Sequence, residues 1–566
     1  MRRLAMLGIL IAFVVGLDLY FPALNGPFVF DDFSLPYHTG ISREIIVWLS
    51  GVRPVLMLTY WLNDAISGDS TFSYHFLNLL IHIVNTCLVF LTLNRLIALP
   101  DRRSTKSGRI AAGIGAAVFL VHPLQTESVS YIAGRSESLA AMFVLVAYLI
   151  FLYRRHEAIS WMEAIALMIF FALGVGTKEN AASLAGVLVL TDVFWPRAFS
   201  TRSLRNNWRL YAVMIPGAAI AAWRVFHVLS GSHSAGLSLQ NLTWYQYGFT
   251  EARAIFSYLR LAVIPFGQSV DHDYAVSHTI LEHGAIFYVA ALLAVTILCF
   301  VWRNRYPLAC FGWFLTLVLL APTSSIIPIL DPLVERRMYL PLVGLILIGC
   351  EVARHIRISQ TTGYALCAAM VIFFALLCYQ RNLLWGQPAA LWAEAAIDSK
   401  GKGRPFENLV GQLVHDNRCS LAIPYLQRAE QVLPNDYEVE LGWGQILECL
   451  GRREQALFRL RRAARIKPCS QVYRLMGLLY GEIGKRDQAG AALHAAVDLD
   501  PSSAPAGDAL ALWYEWTQNL PAAEQEYRRI LLSSPADKDA AMGLTRVRGE
   551  QQQPAQPRPA QPQPVK

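Results

Sequence analysis

Two adjacent carboxylates are the first residues in this chain that could do chemistry. Asp31 and Asp32 lie in FVFDDFSLPYH, residues 28–38, directly after an apolar segment and among aromatic side chains. Acids exposed in a loop cost little, whereas acids in a partly dry cleft are expensive and need a partner. Partial desolvation raises a carboxylate pKa and makes it a better base near neutral pH. The pair therefore reads in one of two ways. It is a general base or metal-linked carboxylate at the mouth of a membrane cavity, any metal falling to Asp32, or it is an interfacial cap before a loop helix.

Three further groups carry polar chemistry. In GVRPVLMLTYWLNDAISGDSTFSYHFLNLLIHIVN, the residues Arg53, Asn63, Tyr74, His75, Asn78, His82 and Asn85 form a polar thread. His75, Asn78, His82 and Asn85 recur at steps of 3, 4 and 3, which puts them on one face of a helix. Such a stripe lines a cavity or pins a neighbouring helix, and the spacing alone favours pinning. HPLQTESVSYIAGRSESL contributes His122, Glu127, Arg135 and Glu137. Glu127 could hold an acceptor or a cation, and Arg135 could meet a phosphate with Glu137 orienting it. An internal Arg135–Glu137 salt bridge explains those two equally well. Lys178 and Glu179 add a charge pair in TKEN. LDPLVERRMYLP supplies Asp331, Glu335, Arg336, Arg337 and Tyr339, and arginine offers a rigid donor fork that suits phosphate oxygens. Lipid headgroups or snorkelling account for these arginines in the alternative reading.

The elements that must position these groups follow from composition. The 566 residues are 54% hydrophobic and 16% charged, with mean hydropathy +0.36; soluble domains carry about 25% charged residues. The apolar runs end near residue 380, which implies a polytopic membrane domain followed by a soluble one. Eleven spans are expected, near 4–21, 76–98, 110–122, 138–153, 162–177, 181–194, 210–226, 283–302, 307–321, 338–352 and 361–380. The segment 251–266, interrupted by Glu251, Arg253 and Arg260, is expected to be bent or interfacial. The basic N-terminus reads as an uncleaved first span. Basic loops at 101–109, 153–157, 196–209, 303–305 and 354–357 then share one face, which the positive-inside rule makes cytoplasmic. An odd number of crossings puts the C-terminal domain, and the acid- and arginine-rich loops, on the outer side. Asn241-Leu242-Thr243, an N-glycosylation pattern, falls on that face too.

The net charge of +8 suits cytoplasmic loops beside anionic lipid. With no recognition motif or basic-aromatic surface, nucleic acid is not an expected partner. The nine cysteines show no CxxC pair and no zinc spacing; Cys87, Cys299, Cys310, Cys350, Cys367 and Cys378 lie in or beside apolar runs and are read as packing residues. There is also no GxGxxG or GxxxxGK motif.

After residue 400 the chain repeats. Pro434, Pro468, Pro501 and Pro535 are separated by 34, 33 and 34 residues, and Ala422, Ala456, Ala489 and Ala523 keep the same step. Gly451 and Gly484 share a position, with Asn417 and Asn519 near its equivalents. A 34-residue period with small residues at helix crossings is the tetratricopeptide pattern. About four helical pairs over 405–545 would form an α-solenoid that presents a surface to a peptide or protein. Residues 381–404 connect it to the membrane domain of 1–380, and the Pro/Gln-rich stretch 546–566 reads as a disordered tail.

FVFDD, RPVLMLTYWLN, YHFLNLLIHIVN, HPLQTESVSYIAGR, GTKEN and ERRMYLP, in this order and followed by RNLLW and the repeats, resemble the transmembrane O-mannosyltransferases with tetratricopeptide repeats. The resemblance covers nearly the whole chain. The few repeats and the Pro/Gln tail give it a bacterial look. It implies an all-α GT-C-like membrane enzyme that takes a polyprenyl-phosphate sugar on its extracytoplasmic face and glycosylates a protein Ser or Thr hydroxyl. It maps the catalytic acids to Asp31, as base, and Asp32, with Glu127 beside them. Arg53, His75, His122, Arg135, Lys178, Glu179, Glu335, Arg336 and Arg337 fall to substrate binding. A divalent cation is left open. The membrane would be the bacterial inner membrane, with the N-terminus cytoplasmic and the repeats periplasmic, or the endoplasmic reticulum in a eukaryote. Transfer to a glycolipid or envelope polymer, and a noncatalytic scaffold that works through the repeats, are the competing readings.

Overall fold

The computed structural model describes residues 2–34, 45–49, 51–68, 70–100, 105–154, 158–195, 202–230, 242–325, 327–535 and 537–552. Asn241 of the glycosylation pattern, basic residues at 101–104, 155–157 and 196–201, and the end of the tail lie outside them. Every regular element among the described residues is helical. The chain divides into two compact units, Met1–Asp32 with Trp48–Asp398, and Phe33–Val47 with Ser399–Lys566. The division falls at 398/399. Residues 381–398, expected to be a connection, belong to the first unit, because Gln360–Trp385 runs through position 380 and Pro388–Asp398 adds one more helix.

The expected eleven spans are not what the helices supply. Among the described residues five are long and apolar enough to cross a membrane: Met6–Ala23, Thr71–Ala98, Arg135–Leu152, Glu282–Trp302 and Gln360–Trp385. A sixth arises if Lys106–Val121 and Pro123–Val129, bent by 53°, count as one broken span. Several of the other runs fold into shorter helices. Trp161–Val175 has 15 residues, Pro307–Leu320 and Leu342–His355 have 14, and Ser183–Phe194 has 12. At 1.5 Å per residue the longest of these reaches about 22 Å, short of a hydrocarbon core of about 30 Å. The run at 210–226 lies within the 23-residue helix Trp208–Ser230, which carries Pro216 inside it. Counting crossings therefore no longer fixes the side on which the C-terminal unit lies.

Close packing in the first unit depends on small residues, as between membrane helices generally. Helices Pro307–Leu320 and Leu342–His355 cross at Gly312 and Gly344. A Cβ at Gly312 would lie 2.3 Å from the Gly344 carbonyl oxygen, and one at Gly344 would lie 2.4 Å from that of Gly312. Neither backbone can yield without separating the helices.

The second unit is a row of helical hairpins: Arg404–His415 with Ile423–Val432, Tyr437–Cys449 with Arg453–Ile466, Ser470–Glu482 with Arg486–Leu499, and Ala504–Trp516 with Leu520–Ser533. Lys538–Gln552 follows them. The first helix of each pair ends at a left-handed residue: Asn417 at φ 54°, Gly451 at 74°, Gly484 at 78° and Gln518 at 62°. The fourth of these is Gln518, one residue before Asn519, which instead caps the next helix by accepting from Ala522 N–H. Ala422, Ala456, Ala489 and Ala523 are fully buried where the paired helices touch. Cys419 and Cys449 form a disulfide with a Cα–Cα distance of 6.3 Å, in addition to the cysteines read as packing residues.

Gly312→Ala should force the two helices apart, and the protein should lose its monodisperse peak on size exclusion in detergent. Gly349→Ala on the same helix as Gly344, where nothing lies within 4 Å of a new Cβ, should leave that peak unchanged.

Candidate active site

The acid pair occupies the short turn Phe30–Ser34. Phe30 enters it at φ 52°, a left-handed conformation that is costly for a bulky residue. Its ring packs edge-on against Trp392, 5.6 Å between centroids. The two carboxylates then diverge. Asp32 is fully buried; its Oδ2 accepts the Val29 N–H at 2.9 Å and its Oδ1 accepts the Ala133 N–H at 2.8 Å. Burial pushes its carboxyl up to about 8 against the pull of those two N–H donors. Asp31 is half exposed, at 51%, with Oδ2 4.0 Å from Arg336 Nη2. Its backbone N–H donates to the Tyr131 hydroxyl at 2.8 Å. Asp32 therefore has both oxygens committed to backbone, while Asp31 presents its carboxylate toward solvent and a cation.

Arg336 links the acid pair to the second motif. Its Nη1 donates to Glu127 Oε1 at 2.5 Å and its backbone N–H to Glu127 Oε2 at 2.8 Å. Its guanidinium sits 5.7 Å from the centroid of Tyr131, whose ring stacks on Trp385. Burial disfavours this cation, but Glu127, Tyr131 and Asp31 hold its pKa above the ordinary arginine range. Glu127 stands on the short helix Thr126–Val129, beyond the 53° bend. The bend thus brings an acid beside the first loop.

Glu335, next in sequence, faces away from Arg336. It accepts from Gln268 Nε2 at 2.6 Å, from the Ser269 N–H at 2.8 Å and from His272 Nε2 at 2.8 Å. Burial favours its neutral form, but His272 and Gln268 outweigh that and hold the carboxyl below its usual range. It anchors the 265–273 loop to the arginine turn. Gln268 and His272 carry no motif or spacing that singles them out, and Tyr131, inside a quoted motif, reads as one more aromatic.

A second group of charges completes the cluster. Lys178 Nζ donates to Glu137 Oε1 at 2.6 Å and Asn180 Nδ2 to Glu137 Oε2 at 2.6 Å. Arg53 binds Glu179 through two bonds of 3.0 and 2.8 Å. Arg53 is 37% exposed and Glu179 26%, so this pair is the more accessible. Glu137 therefore serves Lys178, not Arg135.

Several expected binding residues serve the architecture. Arg135 is fully buried. Its Nε donates to Asn78 Oδ1, its Nη1 to Thr59 and Asn63, and its Nη2 to the Tyr74 carbonyl, with the Tyr60 ring 4.4 Å away. His75 Nε2 lies 3.0 Å from the Gly26 carbonyl, and His122 Nε2 lies 3.0 Å from that of Ala262. His82 and Asn85 meet at the Tyr339 hydroxyl, so the stripe pins helices. Arg337 donates to the carbonyls of Pro332 and Asp331, 3.8 Å from Glu251. As for a metal, the described residues contain no group of three or more His, Cys, Asp or Glu side chains that could hold one. Each Asp32 oxygen already accepts a backbone N–H.

No protein-family model matches the chain. It is 23% identical over 456 residues to protein O-mannosyl-transferase TMTC3 of Mus musculus, covering 71% of this chain and 47% of that one. To the Homo sapiens protein O-mannosyl-transferase TMTC3 it is 24% identical, with the same coverages. Over 145 residues, 25% of this chain and 16% of the other, it is 37% identical to protein O-mannosyl-transferase Tmtc1 of Drosophila melanogaster. The chain spans about half the length of the TMTC3 relatives. Among solved structures, a thermophilic TPR protein of Thermus thermophilus aligns with 32% of this chain and 95% of its own, at 21% identity and TM-score 0.27.

The two acids should separate by stability. Asp32→Asn loses one of two acceptors and turns an NH2 on a backbone donor, so it should cost about 1–3 kcal/mol, read as a lower melting temperature; Asp31→Asn should melt as the native chain does. A carboxyl raised from 3.8 to about 8 keeps its proton when the unfolded chain has lost it. Its contribution to stability therefore falls as pH rises through that window. The gap between native protein and Asp32→Asn should narrow from pH 5 to pH 8.

Proposed function

We propose that this chain is a membrane glycosyltransferase that moves one sugar, mannose by analogy with the relatives' names, from a polyprenyl-phosphate donor to a Ser or Thr hydroxyl of a protein. The observation that carries the reading is a half-exposed carboxylate, Asp31, 4.0 Å from the guanidinium of Arg336. It is supported by a partner acid already committed elsewhere and by the similarity to protein O-mannosyl-transferases.

In the proposed reaction Asp31 takes the proton of the acceptor hydroxyl. The oxygen attacks the anomeric carbon from the side opposite the phosphate, and the bond from that carbon to the phosphate oxygen breaks. Polyprenyl phosphate leaves with the electron pair, and configuration inverts. Cations nearby lower the barrier by meeting charge as it develops on the leaving group. Arg336 and Arg53 are the partly exposed candidates, each oriented by an acid, Glu127 and Glu179 respectively. No step is assigned to a metal. The repeats would hold the acceptor protein.

We place the reaction and the repeats on the extracytoplasmic side of a membrane. With the count of spans set aside, support comes from the Cys419–Cys449 disulfide, since such bonds persist in oxidising compartments and are rare in the cytosol.

Purified protein in detergent, given polyprenyl-phosphate hexoses and an envelope extract, should yield a hexose on protein Ser or Thr by mass spectrometry, and Asp31→Asn should abolish it. Normal turnover in that variant would remove Asp31 as the base; label on lipid or polymer would move the acceptor class. In intact cells, Cys419 and Cys449 should resist a thiol-reactive mass tag until a reductant is added. Tagging without reductant would place the repeats in a reducing compartment.

A further inference from the structure

Helix Arg453–Ile466 of the second repeat buries Ala456, Leu457, Leu460 and Ala463 against its neighbours. Phe458 lies off that stripe and is 57% exposed. Residues three, four and seven positions on share its face, and these are Arg461, Arg462 and Arg465. From Arg452 to Lys467 the chain has six arginines, one lysine and a single acid, Glu454. An exposed phenylalanine ringed by guanidinium groups is unlike the other hairpins of this unit, whose second helices carry no such set.

Two features make this face a built surface. Glu440, only 2% exposed, binds Arg459 at 3.2 Å and Arg462 at 2.8 Å, and Arg461 donates to the Tyr480 hydroxyl at 2.9 Å. Arg459 also binds Glu430 at 2.9 Å, so these guanidinium groups are held in place before any ligand arrives. Among the described residues, Arg452 and Arg465 make no ion pair. The face also has a concavity. A groove of about 480 Å³ runs beside Phe458, lined also by Trp443, Leu447, Arg452, Glu454, Gln455 and Arg459, with Arg459 lying 5.2 Å from the Trp443 ring centroid.

We infer that this groove docks an acidic polypeptide segment, one large apolar side chain entering between Trp443 and Phe458 while flanking carboxylates meet the arginines. Charge complementarity selects the sign of the partner. Shape selects a polypeptide over a bilayer surface. A helix lying on a membrane needs a broad apolar face, and the large apolar side chains exposed on this one are Phe458 and Ile466, at opposite ends of a basic stretch. The identity of the segment as part of a glycosyl acceptor rests on the proposed function; the docking does not.

The test uses the full chain in nanodiscs of zwitterionic lipid and fluorescein-labelled 12-residue peptides, read by fluorescence polarisation. A peptide with leucine among Asp and Glu should bind at least about tenfold more tightly than versions with lysine for the acids or serine for the leucine. Phe458→Ser should weaken it about tenfold. The double variant Arg452→Gln, Arg465→Gln should weaken it and flatten its salt dependence, and Asp31→Asn should bind as the native chain does. Equal binding of all three peptides, no binding of any, or an unchanged Phe458→Ser would overturn the inference. So would capture only by vesicles of anionic lipid. Peptide binding without sugar transfer would count against the catalytic reading and leave the docking intact.

Discussion

The pair between Arg336 and Glu127 is the contact on which the candidate site depends. It joins positions 209 residues apart, one on the turn between helices Pro307–Leu320 and Leu342–His355 and one beyond a bent helix. Both partners are largely out of water, with Glu127 5% and Arg336 22% exposed. Desolvating two charges is expensive and is repaid only by good geometry and further hydrogen bonds. Here the repayment is a second bond from the Arg336 backbone to the same carboxylate, plus the Tyr131 ring and the Asp31 carboxylate around the guanidinium. Losing either partner would strand the other charge, a cost of about 3–5 kcal/mol.

Tyr131 extends this constraint to the first loop. Its hydroxyl accepts the Asp31 N–H, its ring faces Arg336 and stacks on Trp385. Asp32 does the same work from the other side by holding the N–H groups of Val29 and Ala133. The loop is therefore tied at consecutive residues, and the Asp31 side chain is left toward the exterior. An acid pair that looks symmetric in the sequence is divided by burial into one carboxyl that shapes the backbone and one that is presented.

What the sequence made legible, and what it did not, follows from the range of each signal. Helical spacing is local, so the face shared by His75, Asn78, His82 and Asn85 could be read, and with it the preference for pinning. Repeat spacing is also local, and the hairpin turns fall at the expected positions, the exception being Gln518, one residue before Asn519. Span counting failed because a hydropathy run reports composition and not where a helix stops; several runs end after 12 to 15 residues. Charge roles failed for a related reason. Arg135, Arg336 and Arg337 are one residue type in similar motifs. One is spent on Asn78, Asn63 and Tyr74, one faces the acids, and one is held by the carbonyls of Pro332 and Asp331. Residue type cannot separate them, because the difference lies in partners up to 209 positions away.

The burial of so many polar groups has a consequence for how such a site is kept in order. In a low-dielectric surrounding an unpartnered donor costs more than a made bond gains, so each buried polar residue fixes at least one neighbour. Arg135 fixes helices Pro54–Ser67 and Thr71–Ala98; Asn382 fixes Leu19 and Ser130; Glu335 fixes Gln268, Ser269 and His272. Together these bonds hold separate stretches of chain in register around the acid loop. The accessible charges, Asp31, Arg53 and Arg336, sit on that frame with little freedom to move. Electrostatic catalysis requires this kind of order, since a dipole already in place need not be reoriented when charge develops on a leaving group.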